Sequence, residues 1–591
     1  MAAFRVQPAI KTYNNSPLEL FTRIEDTIMK PVTPSSIVII GILLLILAAA
    51  GCIAAPEEPK IEPVSEQYYA DMNVALDRYV ETINAEMAQI NASVWTAARE
   101  LDGVPADDPA VKLALLKLKS EIPLAYDAGR VTKDNYLSAV TNPMGEKTLV
   151  GTYVGTYQFT EEELTSAGNT CLISGYTTFK NGERGVRIAA PVYDAEGNFD
   201  GILQVPLDVD YLFAGPAEVL KNECGYTAWI VDTNGIVIFD DDSSEVGSDL
   251  TAGSSYFTPA YTKAVQTILA DTSGQASYIH FTRGWVSRDQ INAVWTTLQP
   301  GVGTEWRIIL TDDVHEYEGP ESTQITQEEL KAFVTNAYVY ANTEGKQKAL
   351  AAFNDPHGPF VDGELYIFAL DMNGTVLSLP HQHPIVGTST WFSMDPTGVK
   401  HIQRRIARAQ QGGGYVFYLY PNPDEGFQHE LKLSYVIPVD NDWFIGAGIY
   451  PHDSAISYGK IIDWQTRNAL IEQVRTMRYL AAVEGIPAVT DMIMDPASSI
   501  QREDIYPFAV TGNGTILAFS TEPALVGTNQ LGSVNSYGMS FVREGISLGK
   551  SGGGLMYTLA WDSAQNREVY VLDYVEPVGN DTYFASFMIL E

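Results

Sequence analysis

Tyr226-Thr-Ala-Trp-Ile-Val-Asp232-Thr-Asn234-Gly235-Ile-Val-Ile-Phe239 is a pair of β-branched and aromatic runs around Asn-Gly. The pattern returns as Leu365-Tyr-Ile-Phe-Ala-Leu-Asp371-Met-Asn373-Gly374-Thr-Val-Leu-Ser378. It returns again as Ile505-Tyr-Pro-Phe-Ala-Val-Thr511-Gly-Asn513-Gly514-Thr-Ile-Leu-Ala518. Asn-Gly supplies the two positive-φ residues of a type I′ turn, so each copy is expected to be a β-hairpin. A Val-Gly pair follows each one, at Val246-Gly247, Val386-Gly387 and Val526-Gly527. An offset of twelve or thirteen residues from the hairpin glycine, recurring three times, marks an internal repeat of roughly 140 residues.

The rest of the unit repeats as well. A helical stretch ends in a glycine turn at Ser273-Gly274, Gly412-Gly413-Gly414 and Gly552-Gly553-Gly554. Three strands should follow, the last opening at an aromatic after a proline: Pro300/Trp306, Pro438/Trp443 and Pro577/Tyr583. Amphipathic segments of helical period, about 326–354 and 461–494, precede the second and third hairpins. Thr326 and Glu329 form a capping box there. The fold class is therefore α+β, with tandem modules, each a five-stranded antiparallel sheet packed on a long N-terminal helix. Residues 66–101 carry helical periodicity, and 107–210 read as a further α/β unit. The expected organisation is a two-lobed module over 66–318, with lobes at about 105–215 and 223–318, then single modules at 319–460 and 461–591.

Composition narrows the function. Across 591 residues, Lys and Arg number 37 against 73 Asp and Glu, a net charge of −36. That balance argues against nucleic acid, which needs a basic face, and against adhesion to anionic lipid. An apolar fraction of 45% rules out wholesale disorder. Three cysteines are too few for a disulfide framework.

The N-terminus points outward. Residues 37–55 form an uncharged apolar run. Within it, Leu47-Ala48-Ala49-Ala50-Gly51-Cys52 resembles a prokaryotic lipobox, which makes Cys52 the lipidation site. The competing reading is an uncleaved signal anchor. Met29-Lys30 then looks like the natural start, leaving 1–28 as a misassigned upstream segment or a short tail. Residues 56–65 form a Pro- and Glu-rich tether. Both readings place the remainder at the cell surface or in a periplasm-like space of a prokaryote, held to the membrane at its N-terminus. Disulfides persist there, so Cys171 and Cys224 are a candidate bridge.

The run Gly412-Gly413-Gly414-Tyr415-Val-Phe-Tyr418-Leu-Tyr420-Pro421, followed by Lys432-Leu-Ser-Tyr435 and Trp443-Phe-Ile-Gly-Ala-Gly-Ile-Tyr450, resembles Cache domains. These are the PAS-like extracytoplasmic sensor domains of prokaryotic chemoreceptors and kinases. The resemblance implies a double Cache over 66–318, a single Cache over 319–460 and a diverged one over 461–591. It implies a small carboxylate, amino acid or amine held between sheet and covering loop. Lys432, with Tyr418, Tyr435 and Arg404, is its candidate contact set in the middle copy. In the distal lobe the set is Arg187, Asp208, Tyr153 and Tyr176, with Tyr157 beside them. No kinase or methyl-accepting region follows, so output is expected through a membrane kinase, chemoreceptor or transporter. The alternatives are a solute-binding lipoprotein and a structural surface protein with empty spacers.

Catalysis and metals find little support. Ser457-x-x-Lys460, Ser533-x-Asn535 and Lys550-Ser-Gly552 mimic penicillin-recognising enzymes, but too few residues separate the last two motifs. His357 and His381-Gln-His383 lack the further ligands that zinc needs. No enzyme activity, cofactor or metal is expected.

Overall fold

In the hairpins a glycine, and not an Asn-Gly pair, makes the turn. Gly235, Gly374 and Gly514 have φ of 87°, 84° and 89°, while the preceding asparagines keep negative φ. Asp232 Oδ1 accepts from the backbone N–H of Asn234 and Ile236, each at 2.9 Å. Asp371 does the same for Asn373 and Thr375 at 2.9 and 2.8 Å. Each ladder shifts register one pair from the turn, at Ile230/Val231, Ala369/Leu370 and Ala509/Val510. This is a three-residue loop with a glycine bulge, which corrects the type I′ expectation: the aspartate holds the turn, so asparagine need not adopt positive φ. The Val-Gly pairs close the following loop. Gly247, Gly387 and Gly527 donate to Val237, Val376 and Ile516, each at 2.8 Å.

The computed structural model describes residues 60–591 apart from 155–158, 180–182, 244, 253–256, 282–287, 313–324, 383–384, 423–424, 426, 452–453, 455, 460, 580 and 591. Cys52 and the N-terminal apolar run, Tyr157, His383 and Lys460 lie outside the described residues. No described helix is long and apolar enough to cross a membrane.

Four times the strands assemble in the order 2-1-5-4-3, counted along the chain within each lobe. In the third lobe that order is Val376–Ser378, Phe368–Asp371, Trp443–Ile449, Gln428–Pro438 and Gly414–Asn422. All these neighbours pair antiparallel. The first sheet carries an extra short strand, Thr177–Thr178, on Arg184–Tyr193. The third and fourth sheets meet edge to edge through Phe417 and Tyr557, giving ten continuous strands.

One helix of 35 residues, Glu66–Glu100, backs the first two sheets. At 1.5 Å per residue it is about 50 Å long, enough to span both. Its buried stripe of Met72, Leu76, Ile83, Met87, Ile90 and Val94 follows the 3.6-residue period. Near its start Tyr69 Oη lies 2.7 Å from Ser277 Oγ of the second lobe, and near its end Arg99 donates to Pro191 O of the first. The later segments are each expected as one helix, yet each is two. Gln327–Glu344 and Lys346–Phe353 break at Gly345 (φ 82°), and Trp464–Glu484 and Ile486–Met494 break at Gly485 (φ 93°). Glycine alone accepts that backbone readily, so a residue of low helix propensity becomes a hinge.

The candidate disulfide does not form. Both thiols are free. Cys171 Sγ approaches Asn91 O (3.5 Å) and Cys224 Sγ approaches Arg78 Nη2 (3.2 Å). Those partners lie about 20 Å apart along one helix, far beyond disulfide reach.

Candidate functional site

The third lobe encloses a cavity of about 60 Å³ between its sheet and the short helix His401–Gln410. Strand pairing places Lys432 opposite Tyr418, so both side chains leave the sheet on one face. The helix contributes His401 and Arg405, four residues apart on its buried side with Ile402 and Ile406. Asp395 braces the helix entrance. Its Oδ1 accepts from the backbone N–H of Thr397, Gly398 and Val399, and its Oδ2 from that of Leu419.

Charge dominates this cavity. Lys432 is 4% exposed and Arg405 6%. Lys432 Nζ lies over the rings of Tyr450, Tyr420 and Tyr366 at 4.7, 5.0 and 5.2 Å, and donates to Tyr366 Oη at 3.5 Å. Arg405 Nη2 lies 2.9 Å from His401 Nδ1, with its guanidinium over Phe368 and Tyr418. Among the described residues neither cation forms a salt bridge. Burial pushes the Lys432 ammonium below its ordinary range, and Arg405 adds to that; Tyr418 and Glu364 oppose it. Burial, then Arg405 and His429, hold His401 well below the usual imidazole value, so it is neutral. Burial raises Tyr366 to about 12. Ser378 Oγ, fully buried on the cavity wall, has no hydrogen-bond partner. Two cations and neutral donors, with the Asp242 carboxylate of the second lobe on the same wall, thus line a space of roughly two liquid waters. A carboxylate entering it would meet charge-assisted donors already stripped of water.

The sequence profile described as Single Cache domain 2 matches residues 321–464, the stretch that builds this lobe. Residues 321–464 form a single Cache domain. No curated protein matches the chain. Among solved structures it is similar to an extracellular ligand binding receptor from Desulfohalobium retbaense DSM5692. The identity is 19% and the TM-score 0.34, with 42% of this chain and 41% of that one covered. The chain thus spans under half the length of that receptor. It is also similar to the ligand-binding domain of the Pseudomonas aeruginosa PAO1 amino acid chemoreceptor PctB in complex with L-Gln, at 13% identity and TM-score 0.29, covering 46% of this chain and 99% of that one. The periplasmic sensory domain of the Campylobacter jejuni chemoreceptor Tlp1 matches at 12% and 0.29, covering 40% and 91%.

Of the expected contacts, Lys432 and Tyr418 line the cavity of the Cache domain. Tyr435 does not. Three residues from Lys432 on one strand, it emerges on the other face, against Tyr415 and under Lys331 of the backing helix. Arg404 also points away from this cavity. It and Arg408 meet Glu544 of the fourth lobe at 3.6 and 2.7 Å. Arg187 and Asp208 are brought together on a separate, larger cavity, while Tyr153 is 51% exposed and Tyr176 is half-buried away from it. Sequence reasoning noted Arg405 beside Arg404 on the short helix but carried only Arg404 forward as a contact, although the helical spacing of Arg405 from Ile402, Ile406 and Ala409 places it on the apolar face. It also missed Asp242 and Ser243, which reach this cavity from the second lobe. No local pattern announces a wall supplied by another lobe.

Proposed function

We propose that the chain is an extracytoplasmic sensor whose Cache domain captures a small carboxylate. The observation that carries this reading is the pair of buried cations, Lys432 and Arg405, turned on one small cavity with no salt bridge among the described residues. A buried charge without a salt bridge costs several kcal/mol, and a ligand carboxylate is a group that would remove the penalty. The cavity volume favours acids of two or three carbons. Because Asp242 and Ser243 close the space, binding also touches the second lobe, and a difference in affinity between open and closed forms would alter the surface shown to a partner. That partner would be a membrane kinase, chemoreceptor or transporter. In the same reading the N-terminal segment holds the chain at the membrane through a lipid on Cys52 or through an uncleaved helix. The other three sheets would be companion Cache lobes, the first two as one double module.

Thermal unfolding of the full chain tests this against acetate, propionate, pyruvate, amino acids and amines. A carboxylate in about 100-fold excess over its Kd should add roughly 2.7 kcal/mol of stability. Lys432→Ala should remove that gain. A gain that persists in the variant, or arises only with amines, overturns the reading.

A further inference from the structure

A second cavity, of about 630 Å³, opens where the first lobe meets the third and fourth. It is some ten times larger than the one in the Cache domain, within the range of sites for drug-sized ligands. Its wall carries seven Lys and Arg side chains against five carboxylates, a local excess of positive charge in a chain of net charge −36. Two of the carboxylates are shared. Glu544 serves both Arg404 and Arg408, and Glu576 serves Lys119 and Arg475 as well as Arg478. Among the described residues Arg187 forms no salt bridge: its guanidinium lies 5.6 Å from the Phe179 ring, and its buried Nε has no hydrogen-bond partner there. The Nε of Arg404 is likewise buried and unsatisfied. Leu124, Leu137, Val140 and Leu548 provide apolar wall between these charges.

We propose that this cavity is a second ligand site, for an organic anion with an apolar body, whose charge is received by Arg187 of the first sheet and Arg404 of the short helix. The helix His401–Gln410 then presents Arg405 to one cavity and Arg404 to the other. Asp208 on the same wall does not contradict an anionic ligand. Burial raises its carboxyl to about 6, so it gives up its charge more readily than an ordinary aspartate. An anion lodged here would touch side chains from three lobes at once.

The test is a fluorescence titration of the full chain with 8-anilino-1-naphthalenesulfonate, an anion on an aromatic body. Saturable binding of one dye per chain is expected. Arg187→Gln and Arg404→Gln, each first checked for an unchanged melting transition, should weaken it roughly tenfold or more. Lys432→Gln should leave it unaltered, which separates this site from the one in the Cache domain. The uncharged N-phenyl-1-naphthylamine should bind at least about tenfold more weakly, a comparison that needs no variant. Equal binding of the two dyes, no saturable binding, indifference to both arginine substitutions, or loss with Lys432→Gln each overturns the proposal.

Discussion

Lys432 is a cation that folding buries without a salt bridge among the described residues. Its three tyrosine rings recover part of the lost hydration through cation–π attraction, each contact contributing about 0.5–2 kcal/mol. In the proposed reading, the remainder is stability given up for a prepared site. Lys432→Met keeps the volume and discards the charge, so the unliganded variant should be more stable than the parent, by about 1–3 kcal/mol. The same substitution should abolish the response to carboxylates; calorimetry with and without acetate reads both effects. Asp573 presents the opposite charge without a prepared role. Among the described residues neither of its buried oxygens has a hydrogen-bond partner of good geometry, and burial drives its carboxyl well above the usual range despite Arg404 and the nearby Tyr574 backbone N–H. A raised folded pKa means the native state holds its proton more tightly than the unfolded chain, so the penalty is present at neutral pH and fades as pH falls. Asp573→Asn should therefore stabilise by about 1–3 kcal/mol at pH 7, with the gain shrinking toward pH 4, as urea midpoints at the two values will show.

At the scale of the element, what was legible was what repeats. Three hairpin glycines, three Val-Gly loops and two triple-glycine turns lie at fixed offsets because each meets the same backbone demand. Gly413 and Gly553 show that demand directly: a Cβ on either would stand 2.5 Å from the carbonyl oxygen of Val436 or Val575. The type I′ reading failed because it weighed Asn-Gly and ignored Asp232 and Asp371, whose carboxylates accept the turn's N–H groups. The single-helix reading of 326–354 failed because the apolar period runs through Gly345 without a break, and only the backbone records the hinge. Arg404 was chosen over Arg405 for a related reason: its partner, Glu544, comes from another lobe. At Gly345 a Cβ would meet nothing within 4 Å, so space is not the constraint. Its φ of 82° and ψ of 160° lie in a region that is essentially glycine's own. Gly345→Ala should cost about 1–3 kcal/mol in chemical denaturation, through strain alone.

Across the whole molecule, one sheet plan has been put to different uses. Strand register equates Lys432 with Ile291 in the second lobe and Val571 in the fourth, opposite Tyr278 and Thr558 as Lys432 is opposite Tyr418. Both replacements are apolar and belong to packed clusters, with Trp295 and Ile309 in one and Phe508 and Phe587 in the other. Those two faces therefore stabilise, while the third keeps charge on an open space. The lobes in turn depend on one another. Arg475 donates to the carbonyls of Ile122, Pro123 and Ala125 in the first lobe at 2.7–3.0 Å while binding Glu576 in the fourth. Glu576 is 1% exposed and also receives Lys119 at 3.1 Å, Arg478 at 2.8 Å and Tyr574 Oη at 2.5 Å. Burial alone would push its carboxyl up, but Lys119, Arg475 and Arg478 together hold it well below the usual range. A depressed folded pKa gives stability that is complete above the unfolded value, near 4.3, and is lost only as pH drops through the folded one. Glu576→Gln strands three buried cations at a lobe junction and should cost about 3–5 kcal/mol. The deficit should be the same at pH 7 and pH 5 and narrow only below about pH 4. Calorimetry of the full chain at these pH values decides it, since a deficit that already closes by pH 5 would mean that the carboxylate is not held by its three cations.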